Sequence, residues 1–384
     1  MDSEEGAPLT ETACRASPPT VWVLLGKGTG GNGQMLSLAA ALGWPYETKQ
    51  LVHNPLNRCP NLLLGASLLS LNHRRSSPLR PPWPDLVIAA SRRSVPVARW
   101  IKKQSAGHTR LVHLLHTQAP LALFDLVITL PQYCLPQRPN VLHLTAPLNR
   151  LAPERLAEAA SRWASRLEGF VRPYTALFVG GNSSSYVLDP VTAARLAREA
   201  SAQVRASGGS LLLSTSPRTP VAAADALLAA VTCPAYCHRW HPHDPENPYL
   251  AFLALADRFI VTADSASMLV EACATAKPVA LFEWPRRAGW RFAVRTFLRP
   301  GGQLQVDRSD AAGAAAPADG PAGRYDRRVD LGLIKPRRDF DAYHRALKVR
   351  GLVTRLGESA DTVRRQPLDD MARAVARVRA LLAD

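Results

Sequence analysis

Apolar residues in this chain come in short solid runs that alternate with stretches of helical spacing. Residues 21–25, VWVLL, make an apolar run of strand length. They are followed by GKGTGGNG and by residues 34–42, whose apolar positions recur at helical intervals and stop at Gly43, a residue suited to a helix C-cap. Residues 46–52 read as the next strand, which completes a βαβ opening. Further buried-type strands are predicted at 85–90, 110–115, 124–129 and 141–144, with a helix ending near Lys103 after the first of these. Residues 53–83 read as proline- and arginine-containing chain with a leucine-rich helix, lying at a membrane or between domains. Residues 153–166 carry a strong helical pattern, and 168–173 read as a hinge.

The second half repeats the logic. A strand over 176–181 runs into Asn182 and Ser183, and a helix is predicted over 190–207. A strand at 210–214 ends in Thr215-Ser216-Pro217-Arg218-Thr219, and a helix over 221–231 follows. Residues 247–284 read as a complete unit: helix 247–257, strand 258–262, a small polar loop, helix 268–275 and strand 278–282. Alternating strands and helices predict parallel sheets with helices on both faces. The expected organisation is a disordered tail (1–19), an N-terminal Rossmann-like domain (20–168), a C-terminal Rossmann-like domain (174–355) with an unstructured insertion at 309–323, and C-terminal helices (356–384). Glycine- and serine-rich turns at the strand ends of both halves imply a cleft between them. The amphipathic, Ala- and Arg-rich stretch 368–382 is expected to pack across a domain.

Chemistry concentrates at the strand ends. Asp264, Ser265 and Ser267 fall where a parallel strand hands over to a helix, where free backbone N–H groups suit an anion. Glu271 comes four residues after Ser267 and would stack over the same mouth. The plainer reading is a capped helix with an acid favoured by the helix dipole. In the first half, Gly28, Gly30 and Gly33 fit G-x-G-x-x-G, and Glu47 sits where a ribose-binding acid would fall. Any tight strand-to-helix turn recruits glycine, so this spacing alone implies only a phosphate-friendly turn. A P-loop pattern is absent.

Composition narrows the picture less than the pattern does. With 384 residues, 47% hydrophobic and 20% charged, the chain has room for two ordinary domains and is neither disordered nor membrane-embedded by class. The formal net charge is +16, and forty of the 47 basic residues are arginines, spread along the chain. Nucleotides, anionic lipid and nucleic acid all suit arginine; without an aromatic platform or a known module, no specific nucleic acid is expected. The six cysteines lack a disulfide-scaffold spacing, which fits a reducing compartment. The acidic N-terminal stretch has no apolar core and reads as a loose tail, not a signal or transit peptide. The most apolar window, 111–130, is interrupted by His113, His116, Pro120 and Asp125 and is a poor bilayer span. A cytoplasmic protein, peripheral at an inner membrane, is expected. Cys233, Cys237, His238, His241 and His243 could supply four metal ligands, but C-x3-C-H-x2-H is no established metal pattern, so no metal is expected.

Several segments together carry a resemblance: GKGTGGNGQ, PDLVIAASRRS, FDLVITLPQ, FVGGNSSSY, LLLSTSPRTP and ADRFIVTADSASMLVEACATAKPV. In order, over residues 20–355, they are similar to the mitochondrial-fission, elongated-mitochondria family. The resemblance implies a GT-B-like architecture of two Rossmann-like domains facing a nucleotide-sugar cleft. It further implies that Glu271 takes the ribose hydroxyls, that Gly180, Gly181, Asn182, Ser183, Asp264, Ser265 and Ser267 surround the diphosphate, and that Arg218 pairs with phosphate charge. The first turn resembles the GTGGH loop of bacterial lipid-intermediate N-acetylglucosaminyltransferases, making Gly28, Gly30, Gly31, Asn32 and Gly33 an acceptor-side loop. Asn32 replaces the histidine and cannot act as a base. The substitutes are His113, His116 and Asp125, each with a structural role as the plainer reading, and Pro131-Gln132-Tyr133 replace the family's acid and histidine. The implied activity is glycosyl transfer from a nucleotide sugar to a membrane-associated or anionic acceptor, without a further cofactor. A non-catalytic adaptor that recruits partners to a membrane and a nucleotide-sugar epimerase are the alternatives.

Overall fold

The computed structural model describes residues 17–148, 151–183, 186–284, 321–334, 339–358 and 365–383. The elements, in chain order, are β1 (Val21–Leu25), α1 (Thr29–Leu42), β2 (Tyr46–Gln50), α2 (Asn61–Leu64), β3 (Leu86–Ala90), α3 (Val95–Gln104), β4 (Arg110–Leu114), β5 (Leu126–Thr129), β6 (Val141–His143) and α4 (Pro153–Ala164). There follow β7 (Tyr174–Phe178), α5 (Pro190–Ala206), β8 (Ser210–Ser214), α6 (Val221–Ala229), β9 (Ala235–His238), α7 (Tyr249–Leu255), β10 (Arg258–Thr262), α8 (Ala266–Ala274) and β11 (Val279–Phe282). The last four are α9 (Pro321–Asp330), α10 (Phe340–Val349), β12 (Thr354–Arg355) and α11 (Asp370–Ala380).

The strands form two six-stranded sheets, ordered β2-β1-β3-β4-β5-β6 and β12-β11-β10-β7-β8-β9. Every pairing within them is parallel. The central strands are apolar on both faces because helices cover both, as the solid runs LVIAA, YTALF and RFIVT require. Edge strand β2 is instead mostly exposed, and the buried Lys49 lies 4.3 Å over the Trp22 ring while bonding Glu47. Charge on an edge strand discourages pairing with another chain.

Each sheet reverses its winding once. In the first, β1 lies between β2 and β3; in the second, β7 lies between β8 and β10. A crevice opens outside the carboxyl ends of the strands at such a switch point, and in open α/β sheets that is where ligands bind.

The chain ends back on its first half. Ala374 and Val378 of α11 are buried in the first sheet's core, whereas Tyr343 and Leu347 of α10 belong to the second. Asp370 fixes the return by accepting the backbone N–H groups of Thr145 and Ala146.

Several boundaries differ from expectation. Helix α1 begins at Thr29, so Gly30, Gly31 and Gly33 lie within it and not in a loop. Within 53–83 there is no long leucine-rich helix. Prolines 55 and 60 and Gly65 confine it to a 3-10 turn over Pro55–Arg58 and the single turn of α2. Strand β9, between α6 and α7, has no counterpart among the predicted strands and carries Cys237 and His238. Most of the insertion expected at 309–323 lies outside the described residues, but 321–323 open helix α9. Among the described residues, no helix is long and apolar enough to cross a membrane.

Candidate functional site

The loops after β7 and β10 flank the switch point of the second sheet, and they carry most of the residues singled out above. The β7 loop is locked from below. Gly180 donates its N–H to the Thr262 hydroxyl at 2.7 Å, and the Ser216 hydroxyl donates to the Gly180 carbonyl at 2.8 Å. The Thr219 hydroxyl donates to the same carbonyl. The Asn182 N–H donates to the Arg218 carbonyl at 2.9 Å, and the Asn182 side chain accepts from Leu188 N–H at 3.0 Å.

Asp264 crosses the crevice. Its Oδ2 accepts the Gly181 N–H at 2.9 Å and pairs with Arg218 Nη1 at 2.6 Å; the carboxyl group is buried while the Arg218 side chain remains 39% exposed. Burial pushes the Asp264 pKa up from the ordinary carboxylate range, against the opposing pull of Arg218 and the Gly181 N–H. Two glycines make the crossing possible. A Cβ on Gly180 would stand 2.3 Å from the Asp264 carboxylate, and one on Gly181 would stand 2.1 Å from the Arg218 carbonyl oxygen.

Helix α8 starts at the same crevice. Ser265 precedes it, buried, and offers no side-chain cap, while Ser267 in the first turn is exposed. Glu271, half-buried, accepts a hydrogen bond from the Tyr249 hydroxyl. Tyr249 is lodged against Phe178 at the end of β7 (ring centroids 4.6 Å), and burial beside Glu271 pushes its pKa well above the usual phenol value. Underneath, His344 donates from Nε2 to the Ala263 carbonyl at 2.9 Å. Tyr249 and His344 escaped the sequence reading. The first looked like an apolar helix position, and the second lies on α10, a helix not anticipated.

The first-sheet candidates do not converge in the same way. Asn32 turns back on the strand end, accepting the Gly26 N–H at 3.1 Å and donating to the Gly26 carbonyl at 2.7 Å. His113 is fully buried against Phe124, bonds the Ser91 carbonyl at 3.2 Å, and is held by desolvation at a pKa of about 4. His116 stacks on Tyr133 with ring centroids 5.2 Å apart. Asp125 precedes β5, at the opposite edge from the crevice, where it binds Lys102, Arg110 and the Leu111 N–H. Glu47, on β2, is exposed and bonded to Lys49.

Of the cysteine and histidine cluster, Cys237 and His238 are adjacent on β9 and so point to opposite faces. His238 and His241 both approach Asp244 Oδ2, at 3.1 and 3.4 Å. Among the described residues no group of three or more His, Cys, Asp or Glu is arranged to hold a metal ion. A cleft of about 350 Å³ opens at the ends of β11 and β12 among Arg195, Glu199, Glu283, Arg355 and Glu358. It opens one strand over from β10, and its acidic and basic side chains alternate.

Two parallel sheets flanked by helices, with a polar crossing at the switch point of the second, define a two-lobed, Rossmann-like α/β protein. Residues 29–298 match the family model described as mitochondrial fission ELM1, and the chain belongs to that family. It is 27% identical over 218 residues to the Arabidopsis thaliana mitochondrial fission protein ELM1, covering 51% of each, so it spans about half the length of that relative. To the uncharacterized protein RP120 of Rickettsia prowazekii it is 25% identical over 299 residues, covering 69% of this chain and 83% of the relative. Among solved structures it is similar to a UDP-GlcNAc 2-epimerase from Methanocaldococcus jannaschii (10% identity, 94% of this chain and 99% of that one, TM-score 0.45). It is likewise similar to a UDP-glucosyltransferase from Polygonum tinctorium (12% identity, 97% and 100%, TM-score 0.44).

Proposed function

We propose that the chain binds a nucleotide sugar at the switch point of its second sheet and acts as the donor half of a glycosyl-transfer site for a membrane-associated or anionic acceptor. The observation that carries this reading is the meeting of the Gly180–Gly181 turn, Arg218 and the uncapped start of α8 at one crevice, with Glu271 one helical turn further on. The diphosphate would lie across the α8 N-terminus, where N–H donors and the macrodipole favour negative charge. Ser267 and the exposed part of Arg218 would take its oxygens. Glu271, oriented by Tyr249, would accept from the ribose hydroxyls. On bond cleavage at the anomeric carbon, these fixed donors would stabilise the leaving diphosphate without reorganising.

Calorimetric titration with UDP, GDP, CMP and dTDP sugars tests the reading. The wild type should bind one class of them, and Glu271→Ala should weaken that binding by roughly 10- to 100-fold, because a hydrogen bond to a carboxylate contributes about 1.5–3 kcal/mol, and should also cost about 1–3 kcal/mol of stability, because the buried Tyr249 hydroxyl loses its acceptor. Unchanged affinity in Glu271→Ala sinks it.

A second reading, an adaptor that keeps the fold without the chemistry, is favoured by Asp264. Its carboxylate already takes the Gly181 N–H and the Arg218 charge that an anionic ligand would use, and Asn32 is committed to Gly26. If no nucleotide or nucleotide sugar raises the melting temperature at millimolar concentration, the adaptor reading replaces the first.

A further inference from the structure

The net charge of the chain is unevenly placed. Residues 48–124 contain eleven Lys or Arg and a single acid, Asp85, whereas residues 174–284, which build most of the second sheet, contain seven Lys or Arg against nine acids. Asp85 is itself engaged by Thr20 and His108, so the first lobe offers almost no exposed carboxylate in this stretch. The even spread of arginine along the whole chain conceals this asymmetry between lobes.

The same stretch exposes leucine. Leu56 (49%), Leu62 (68%), Leu63 (77%) and Leu69 (64%) are four of the large apolar side chains left in solvent, all within fourteen residues. They are not on a floppy loop. Asn61, 3% exposed, donates its amide to the carbonyls of Arg92, Thr117 and Gln118, which pins α2 over the carboxyl ends of β3 and β4. Arg92 reaches the carbonyls of Asn57 and Cys59 from the other side. Behind this, Trp83 packs edge-on between Trp22 and Trp100, tying the returning chain to β1 and α3. A rigid anchor that turns its leucines outward is costly unless something covers them.

From these observations we propose that the rim formed by residues 55–75 is a docking surface for an anionic lipid bilayer, entered by Leu62 and Leu63 and framed by basic side chains. Arg58 closes the 3-10 turn beside α2, and Arg93 lies close enough to His53 to depress its pKa, on top of the depression caused by burial. His73 and Lys103 line a groove of about 310 Å³ next to Leu69. Leucines standing between basic residues are the pattern of an interfacial surface, in which apolar side chains enter the acyl boundary and Lys or Arg meet the headgroups. Other occupants fit less well. A second copy of the chain would bring two strongly basic lobes face to face, and nucleic acid would meet the arginines but gain nothing from Leu62 and Leu63. The docked rim stands at the carboxyl edge of the first sheet, so a bilayer held there lies beside the mouth of that lobe.

The test is sedimentation of the full chain with vesicles of phosphatidylcholine alone and of equal parts phosphatidylcholine and phosphatidylglycerol. The wild type should bind the mixed vesicles and not the neutral ones, and added salt should release it. Leu62→Asp with Leu63→Asp should weaken binding at least about tenfold. Arg93→Glu should weaken it by about fivefold or more. Val191→Asp with Val221→Asp, at two equally exposed apolar positions of the second lobe (77% and 72%), should leave it unchanged. Because Leu62 and Leu63 make little buried contact, all variants should melt like the wild type. Failure of the wild type to bind mixed vesicles, or equal binding by the Leu62 and Leu63 variant, overturns the proposal. So does a wild-type dimer that the same variant dissolves in the absence of lipid. Nucleotide titration of these variants is independent of the outcome.

Discussion

The chain has two glycine-rich turns after two first strands, and they obey different constraints. In the first lobe, Cβ atoms added to Gly28, Gly30 or Gly33 would meet nothing within 4 Å, and one on Gly31 would make an ordinary 3.5 Å contact with Ala90. In the second, Gly180 and Gly181 have a buried carboxylate and a backbone carbonyl pressed against the space where a Cβ would be. The first turn has the spacing of a nucleotide motif; the second has the packing that such motifs exist to allow. What passes close to the backbone therefore says more than the interval between glycines.

Gly181 is where the two turns should differ most. Gly181→Ala should destabilise the protein by about 3 kcal/mol, since the new methyl group collides with backbone and not with a side chain that can swing aside. Thermal unfolding that matched the wild type would mean that the crevice is loose and that the contrast between the lobes is false.

Acid acts on both lobes through buried groups. His113 of the first lobe is held at a pKa of about 4 against 6.5 for a free histidine. The folded state thus binds its proton less readily than the unfolded one. The stability this represents is intact above about pH 6.5 and is lost as the pH falls from there through about 4, on the order of 3 kcal/mol in all. Burial lowers the pKa of His53 and His344 as well, with the same sign. Asp264 of the second lobe is shifted upward, so its contribution runs the other way and favours the fold as the pH falls. His113→Gln should flatten the urea-unfolding stability between pH 7 and 4, and an unaltered slope would place the acid sensitivity elsewhere.

The sequence made the fold legible wherever a strand was solid and apolar. VWVLL, LVIAA, SLLLS and RFIVT needed no tertiary information, because a strand buried on both faces must look that way. It failed at edges and short elements. Strand β9 (AYCH) is only half-buried, and its Cys and His drew attention as ligands; β12 is two residues long. The return of α11 to the first sheet could not be read, since an amphipathic helix announces a buried face but not its partner. At the candidate site, Gly180, Gly181, Asp264 and Arg218 were legible as strand-end polar residues, but their mutual crossing was not: which carboxylate takes which N–H depends on sheet order. Tyr249, twenty-two residues from Glu271, is invisible to local pattern for the same reason.

The smallest effect separates fold from function in the first lobe. Gly33 is exposed inside α1 with open space where a Cβ would go, so Gly33→Ala should remove a glycine's conformational cost and stabilise the helix by up to about 1 kcal/mol, roughly 2 °C in melting temperature for a protein of this size. If the α1 start serves an acceptor by close approach of its backbone, the same variant will be more stable and yet weaker in transfer or in partner binding. If the turn is only a helix start, stability will rise and nothing else will change. A fall in melting temperature would contradict both, because it would require an unseen contact at a position where the structure leaves room.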